Sequence, residues 1–210
     1  MTTRLIKALI TLTVSACLSG CIGRTRYPTY YTLNVPPAAD PPAAEGPRAS
    51  VAVHEFRCPA YLRQGAIVYR PSPEEIGFYN YQRWAVDPRE FVTNTLVDRL
   101  RTSGKFSMVK FYDGRSDVDF ILTGRLDKLE EVDYEGGVKV EVALSAQMTD
   151  LRSGQTVWAN DASESTEVSK RTVPALVAEM GEAMNREIQK LLDSLPASAT
   201  IRPEPHTDSR

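Results

Sequence analysis

Between Val138 and Met148 the sequence alternates without interruption, setting Val138, Val140, Val142, Leu144, Ala146 and Met148 against Lys139, Glu141, Ala143, Ser145 and Gln147. Successive side chains of a strand point to opposite faces, so this period of two describes a strand with one face buried and the other wet. A chain that contains it must build a sheet with a covered face. Gly136-Gly137, just before it, can supply the positive φ angles of a tight hairpin, and Val118, Phe120, Leu122 and Leu126 keep the same period on the other side of that turn. Beyond it, Asp150 to Gly154 reads as a second turn and Gln155 to Asn160 as the returning strand, with Val157 and Trp158 on opposite faces.

Two amphipathic stretches can supply the cover. Asp87 is placed to cap a helix, Pro88 stands at the first helical position where its missing N–H costs nothing, and Glu90 completes a capping box. Val92, Leu96 and Leu100, widened by Phe91 and Val97, form its stripe, and Gly104 is its stop. A second helix is expected from about Thr172, with Pro174 in its first turn, Leu176, Val177, Met180, Met184, Ile188, Leu191 and Leu195 on one side, and Pro196 at its end. Further strands are expected at Thr29–Leu33, Ser50–Phe56, Ala66–Arg70 and Met108–Tyr112, with an extended segment at Gly77–Tyr81. Runs of strands joined by short turns predict an α+β fold of two layers, an antiparallel sheet with both amphipathic helices on one face. There is no internal repeat.

The N-terminus has a different character. Arg4 and Lys7 precede a mostly apolar stretch from Ala8 to Leu18, followed by Ser19-Gly20 and then Cys21. This is the layout of a secretory signal, too short to span a bilayer. Leu18-Ser19-Gly20-Cys21 resembles the lipobox of bacterial lipoproteins, in which the cysteine sulfur takes a diacylglycerol and becomes the first mature residue. Val14-Ser15-Ala16-Cys17 is a second match, but cutting there leaves an apolar core of only Ala8 to Leu12, so Cys21 is preferred to Cys17. The organisation that follows is a signal peptide over 1–20, a tether over 21–28 and one α+β domain over 29–195. Within that domain a Pro/Ala-rich linker occupies 36–47, and a disordered tail of Pro, Ser, Thr and charge follows over 196–210.

Composition narrows the chemistry. The chain has 25 Lys+Arg and 27 Asp+Glu, and removal of Arg4 and Lys7 with the signal leaves 23 against 27, a balance that attracts neither nucleic acid nor anionic lipid. The histidines are His54 and His206 and the cysteine remaining beyond the lipid site is Cys58, too few for a zinc-type cluster, and no nucleophile elbow, P-loop or dinucleotide fingerprint is present. Cys58 is either a reactive thiol or, beside Phe56 and Pro59, a small buried residue, the reading preferred here. His54 reads as a structural strand residue. Asp117, Asp119, Asp127, Glu130, Glu131, Asp133 and Glu135 could form a cation site, but read better as a solvated sheet surface or guarded edge. No catalytic residue, cofactor or metal is implied.

The most unusual composition lies between Ala60 and Trp84, where Tyr61, Tyr69, Phe78, Tyr79, Tyr81 and Trp84 are interleaved with Arg63, Arg70 and Arg83. Such a segment either packs its own aromatics onto the domain or forms a recognition surface, since Tyr, Trp and Arg are enriched at protein interfaces. The candidate partner interface is Tyr61, Leu62, Tyr69, Arg70, Tyr79, Tyr81, Arg83 and Trp84.

Tyr30-Tyr31-Thr32-Leu33 soon after the lipobox, Tyr61-Leu62, Ile67-Val68-Tyr69-Arg70, and Arg83-Trp84-Ala85 directly before the capped helix resemble the ABC-type transport auxiliary lipoproteins, the PqiC/YmbA-like group. The resemblance covers about Tyr30 to Leu192, and departs by a longer insert between Arg70 and Tyr81. It implies a non-enzymatic lipoprotein on the periplasmic face of the outer membrane, where Ile22 after the lipidated cysteine agrees with sorting there. It also implies as partners an MCE-domain protein with its ABC permease and ATPase, and leaves room for homo-oligomers. Two other roles suit the same residues: a lipid-binding shuttle, which requires an apolar cavity between sheet and helices, and an LptE-like assembly lipoprotein for an outer-membrane barrel.

Overall fold

The computed structural model describes residues 26–36, 48–115, 117–134 and 136–196. The expected signal peptide, Cys17, Cys21, most of the Pro/Ala linker and the tail beyond Pro196 lie outside the described residues. In chain order the elements are β1 (Thr29–Tyr31), β2 (Ser50–Val53), a short 3-10 turn (Ala60–Gln64), β3 (Ala66–Ser72), β4 (Glu75–Trp84), α1 (Pro88–Thr102), β5 (Met108–Phe111), β6 (Phe120–Val132), β7 (Lys139–Asp150), β8 (Thr156–Glu167) and α2 (Val173–Ser194).

The alternating stretch forms β7, and its even-numbered residues Val140, Val142, Leu144 and Met148 are buried. It is the middle of an antiparallel meander of β6, β7 and β8, with Gly136 at φ +79° in the first turn and Gly154 at φ +70° in the second. The remainder of the sheet is not antiparallel as the sequence predicted. β2 pairs parallel with both β5 and β6, β3 pairs parallel with β6, and β1 pairs parallel with β4, so that only β3–β4 joins the meander as an antiparallel pair. The parallel pairs all join strands that are distant in sequence, which no tight turn connects and therefore no hairpin forces to run in opposite directions. β6 is also long enough to hold two partners in series along one edge. Val51–Val53 pairs with Phe120–Leu122, Arg57 bridges Arg125, and Val68–Arg70 pairs with Glu130–Val132.

Both helices bury the predicted stripes in one shared core: Val92, Leu96, Val97 and Leu100 from α1, and Leu176, Met180, Met184, Ile188 and Leu191 from α2. Asp87 caps α1 through a 2.9 Å bond from the Arg89 amide, and the Arg89 guanidinium closes on the same carboxylate at 2.8–3.1 Å. Burial works against ionisation there, but these bonds prevail and hold the Asp87 carboxyl below its usual range. The C-terminal carbonyls of α2 are met by the Lys105 ammonium, 2.6 Å from Leu192 O and 2.7 Å from Leu195 O, and by Trp158 Nε1 on Ser194 O. Arg99 ties α1 to Asn185 and Gln189 of α2. No described helix is long and apolar enough to cross a membrane.

After β1 the chain crosses α2. A Cβ at Gly181 would lie 3.1 Å from the backbone oxygen of Asn34, and Arg99 holds the carbonyl of Pro36 at 3.0 Å. Gly181 is therefore where the N-terminal strap fits onto the helix. Gly181→Val is expected to cost about 1–3 kcal/mol by overpacking and to expose the strap to protease near Asn34. Urea unfolding and timed proteolysis check both effects.

Candidate functional site

The aromatic and arginine-rich segment folds into the 3-10 turn and the β3–β4 hairpin, with β1 on the outer side of β4. β4 carries extra residues relative to β3: Phe78 pairs with Val68 but Arg83 pairs with Ala66, so the register shifts between them. The two-residue period of the tyrosines is broken by that shift, and the candidate residues separate into groups.

Leu62 and Trp84 are core residues. Trp84 packs beside Leu33, Pro88 and Phe91 around a pocket that also touches Thr32 and Val86 and encloses about 10 Å³, room for one water molecule and far too small for an acyl chain. Its Nε1 is buried without a hydrogen-bond partner. Arg70 and Tyr79 are turned to two adjacent carboxylates of β6. Arg70 grips Glu130 with Nε on Oε1 at 2.9 Å and an Nη on Oε2 at 3.2 Å, and also reaches Pro73 O at 3.0 Å. Tyr79 Oη donates to Glu131 Oε2 at 2.7 Å. Burial and then this bond push the Tyr79 phenol well above its usual range. Glu130 and Glu131 are consecutive in a strand, so they face opposite sides of the sheet, and each finds its partner on its own side.

This corrects the expectation that the acidic run is solvated, because Glu130 and Glu131 are both buried. Burying a carboxylate is tolerated when it is paired and hydrogen-bonded. Others in the run are also engaged: Asp119 accepts from the amide and hydroxyl of Ser50 at 2.8 and 2.9 Å, Asp127 meets Arg125 and Ser145, and Asp117 pairs with Lys110. Among the described residues no His, Cys, Asp and Glu side chains gather in a group able to hold a metal ion.

Tyr61 and Tyr69 are half-buried. Tyr61 Oη approaches Asp127 O at 3.4 Å, and burial, then the charge of Glu130, raises its phenol. Tyr69 lies across Gly77, where a Cβ would come within 2.2 Å of its ring, and packs edge-on to Tyr79 with centroids 5.3 Å apart. Tyr81 and Arg83 remain at the surface, Tyr81 with the Arg26 guanidinium 5.9 Å from its ring centroid and Arg83 bonded to Gln64 O at 3.2 Å. Tyr27 and Tyr30 are exposed on the same edge and were not among the predicted site residues. Their signal was available: tyrosines at both Tyr30 and Tyr31 mark a strand that wants an apolar contact on each side.

Outside this region, His54 stacks on Tyr112 with centroids 5.0 Å apart, and Cys58 is a free, half-buried thiol whose pKa burial raises further. A raised thiol is a poor nucleophile.

The fold has relatives among solved structures. Protein XCC0632 from Xanthomonas campestris superposes with a TM-score of 0.66 at 18% identity, covering 82% of this chain and 95% of that one. An uncharacterized protein of known structure gives 0.63 at 17% identity over 80% and 98%. At these identities the likeness is one of fold. No curated protein matches the sequence. The family described as ABC-type transport auxiliary lipoprotein component matches residues 31–191, from the last residue of β1 to the last turn of α2, and the chain belongs to that family.

Proposed function

We propose that the protein is a lipid-anchored, non-enzymatic subunit of an ABC-type lipid-transport system. Cys21 carries the acyl chains, the chain stands on the periplasmic face of the outer membrane, and it docks there the conduit formed by an MCE-domain protein and its permease and ATPase. The observation that carries this reading is the family membership over residues 31–191, which takes in almost every described element. Within the aromatic segment, Leu62, Arg70, Tyr79 and Trp84 shape the hairpin from inside, and half-buried Tyr61 and Tyr69 are left to meet a protein partner.

The test is capture of the full chain, tagged at its C-terminus, from detergent-solubilised envelopes. An MCE-domain protein, a permease and an ATPase are expected to co-purify, Tyr69→Ala to weaken their capture, and Cys21→Ala to abolish both capture and the acyl mass on the mature chain. Enrichment of an outer-membrane barrel in their place would assign the assembly role instead.

A further inference from the structure

The exposed aromatic side chains on the β1–β4 edge are unusual for their size and grouping. Tyr27 is 81% exposed, Tyr30 61% and Tyr81 40%, with Val86 beside them at 41%. Tyr30 stands opposite Arg83 in the β1–β4 register, Tyr81 is two residues before Arg83, and Arg26 lies over the Tyr81 ring. Residues 26–34 and 76–86 contain no Asp or Glu, the nearest in sequence being Glu75 at the far end of β4 and Asp87, which Arg89 pairs. Although the chain as a whole is acidic, the charged residues of these two stretches are Arg26 and Arg83.

Its distance from the anchor is limited by covalent geometry. Arg26 is five residue steps from Cys21, and a fully extended chain spans at most about 3.6 Å per residue, so Arg26 is held within about 18 Å of Cys21. An acylated Cys21 sits at the headgroup level, so this edge is the part of the described structure kept nearest the bilayer.

We propose that Tyr27, Tyr30 and Tyr81, with Arg26 and Arg83, form a platform that seats the protein on the phospholipid headgroups of the leaflet holding its anchor. The chemistry of the edge fits that occupant. A tyrosine ring is apolar and its hydroxyl is polar, which suits the boundary between acyl chains and water. A guanidinium pairs with phosphate through two parallel hydrogen bonds. The platform adds to the acyl anchor what acyl chains alone lack, a fixed orientation: β1 and β4 face the leaflet and the opposite edge of the sheet, at β8, faces away. The inference rests on the acylation of Cys21, and it takes Tyr81 and Arg83 from the partner interface while leaving Tyr61 and Tyr69 to it.

The test uses the full, acylated chain in vesicles of phosphatidylethanolamine and phosphatidylglycerol that carry a headgroup-level spin-labelled lipid. An environment-sensitive fluorophore is placed at Thr29→Cys, or as a control at the exposed Ser163→Cys on β8, each in a Cys58→Ser background, and intact mass confirms the acyl chains. The label at residue 29 is expected to be quenched several-fold more than the label at 163. Tyr27→Ala/Tyr30→Ala/Tyr81→Ala is expected to abolish that difference while the acyl mass and vesicle binding persist. Equal quenching at the two sites in a fully acylated protein would overturn the platform and leave the anchor standing. A mature chain without acyl mass that does not bind vesicles would overturn the anchor, and the platform with it.

Discussion

Gly124→Val is expected to destabilise the protein by more than about 4 kcal/mol, beyond the usual range for a single substitution. A Cβ at Gly124 would stand 2.2 Å from the Phe56 ring, which lies fully buried across the glycine. Neither side can yield. Arg57 N donates to Gly124 O at 2.9 Å, Leu126 N to Arg57 O at 2.8 Å and His54 N to Leu122 O at 2.8 Å, so the backbone on both sides of Phe56 is fastened to β6. Phe56 N is further held by Thr93 Oγ1 at 3.0 Å, and that hydroxyl donates to Arg89 O at 2.7 Å, which ties the site to α1. Overpacking with no route of relief forces backbone displacement. Urea unfolding of Gly124→Val, Phe56→Ala and the pair measures this directly. The double variant should be more stable than the sum of the single losses predicts, since removal of the ring makes room for the added methyls.

Arg70→Ala is expected to cost about 3–5 kcal/mol, because it leaves the Glu130 carboxylate buried and unpaired. The Glu130 side chain is 0% exposed and that of Arg70 17%, and the pair closes through two hydrogen bonds. Replacing both partners by apolar residues of similar volume, as in Arg70→Met/Glu130→Leu, should recover most of the loss, since the main cost is the stranded charge and not the absent bond. The measurement is again denaturant unfolding, accompanied by partner capture. A variant that keeps full stability but loses its partner would return Arg70 to the interface. Loss of stability, with capture restored in the double variant, fixes it as a residue of the frame.

The elements that could be read from sequence alone were those whose signal is local. β7, its two turns, the cap of α1 and the stripes of both helices all follow from spacing within a dozen residues. β8 runs on to Glu167, past the predicted end at Asn160, because Asp161 to Glu167 offers Ala162 as its one buried apolar side chain and so gives no period to detect. The 3-10 turn at Ala60–Gln64 and the full length of β4 were missed for a related reason: Pro73 and the glycines read as breaks, and the register shift in β4 has no sequence mark.

The candidate site was legible in composition but not in direction. Whether Arg70 and Tyr79 face outward depends on Glu130 and Glu131, fifty to sixty residues away and brought alongside by a parallel pairing that no local pattern encodes. Tyr27 and Tyr30 were passed over because a three-residue strand draws attention only once it is seen that, among the described residues, no strand pairs with its outer side.

The doubly occupied edge of β6 also sets the order in which the protein can be made. Val51 waits for Phe120, and Val68 for Glu130, so the amino-terminal strands emerge roughly sixty to seventy residues before the surface that receives them. As the chain is made from its N-terminus, β2 and β3 therefore precede the edge that receives them, while the β6–β7–β8 meander, built from neighbouring residues, can close on itself as soon as it is complete. The late half thus acts as the template for the early one, and a fragment ending before β6 keeps the β1–β4, β3–β4 and β2–β5 pairings but lacks the strand that joins them.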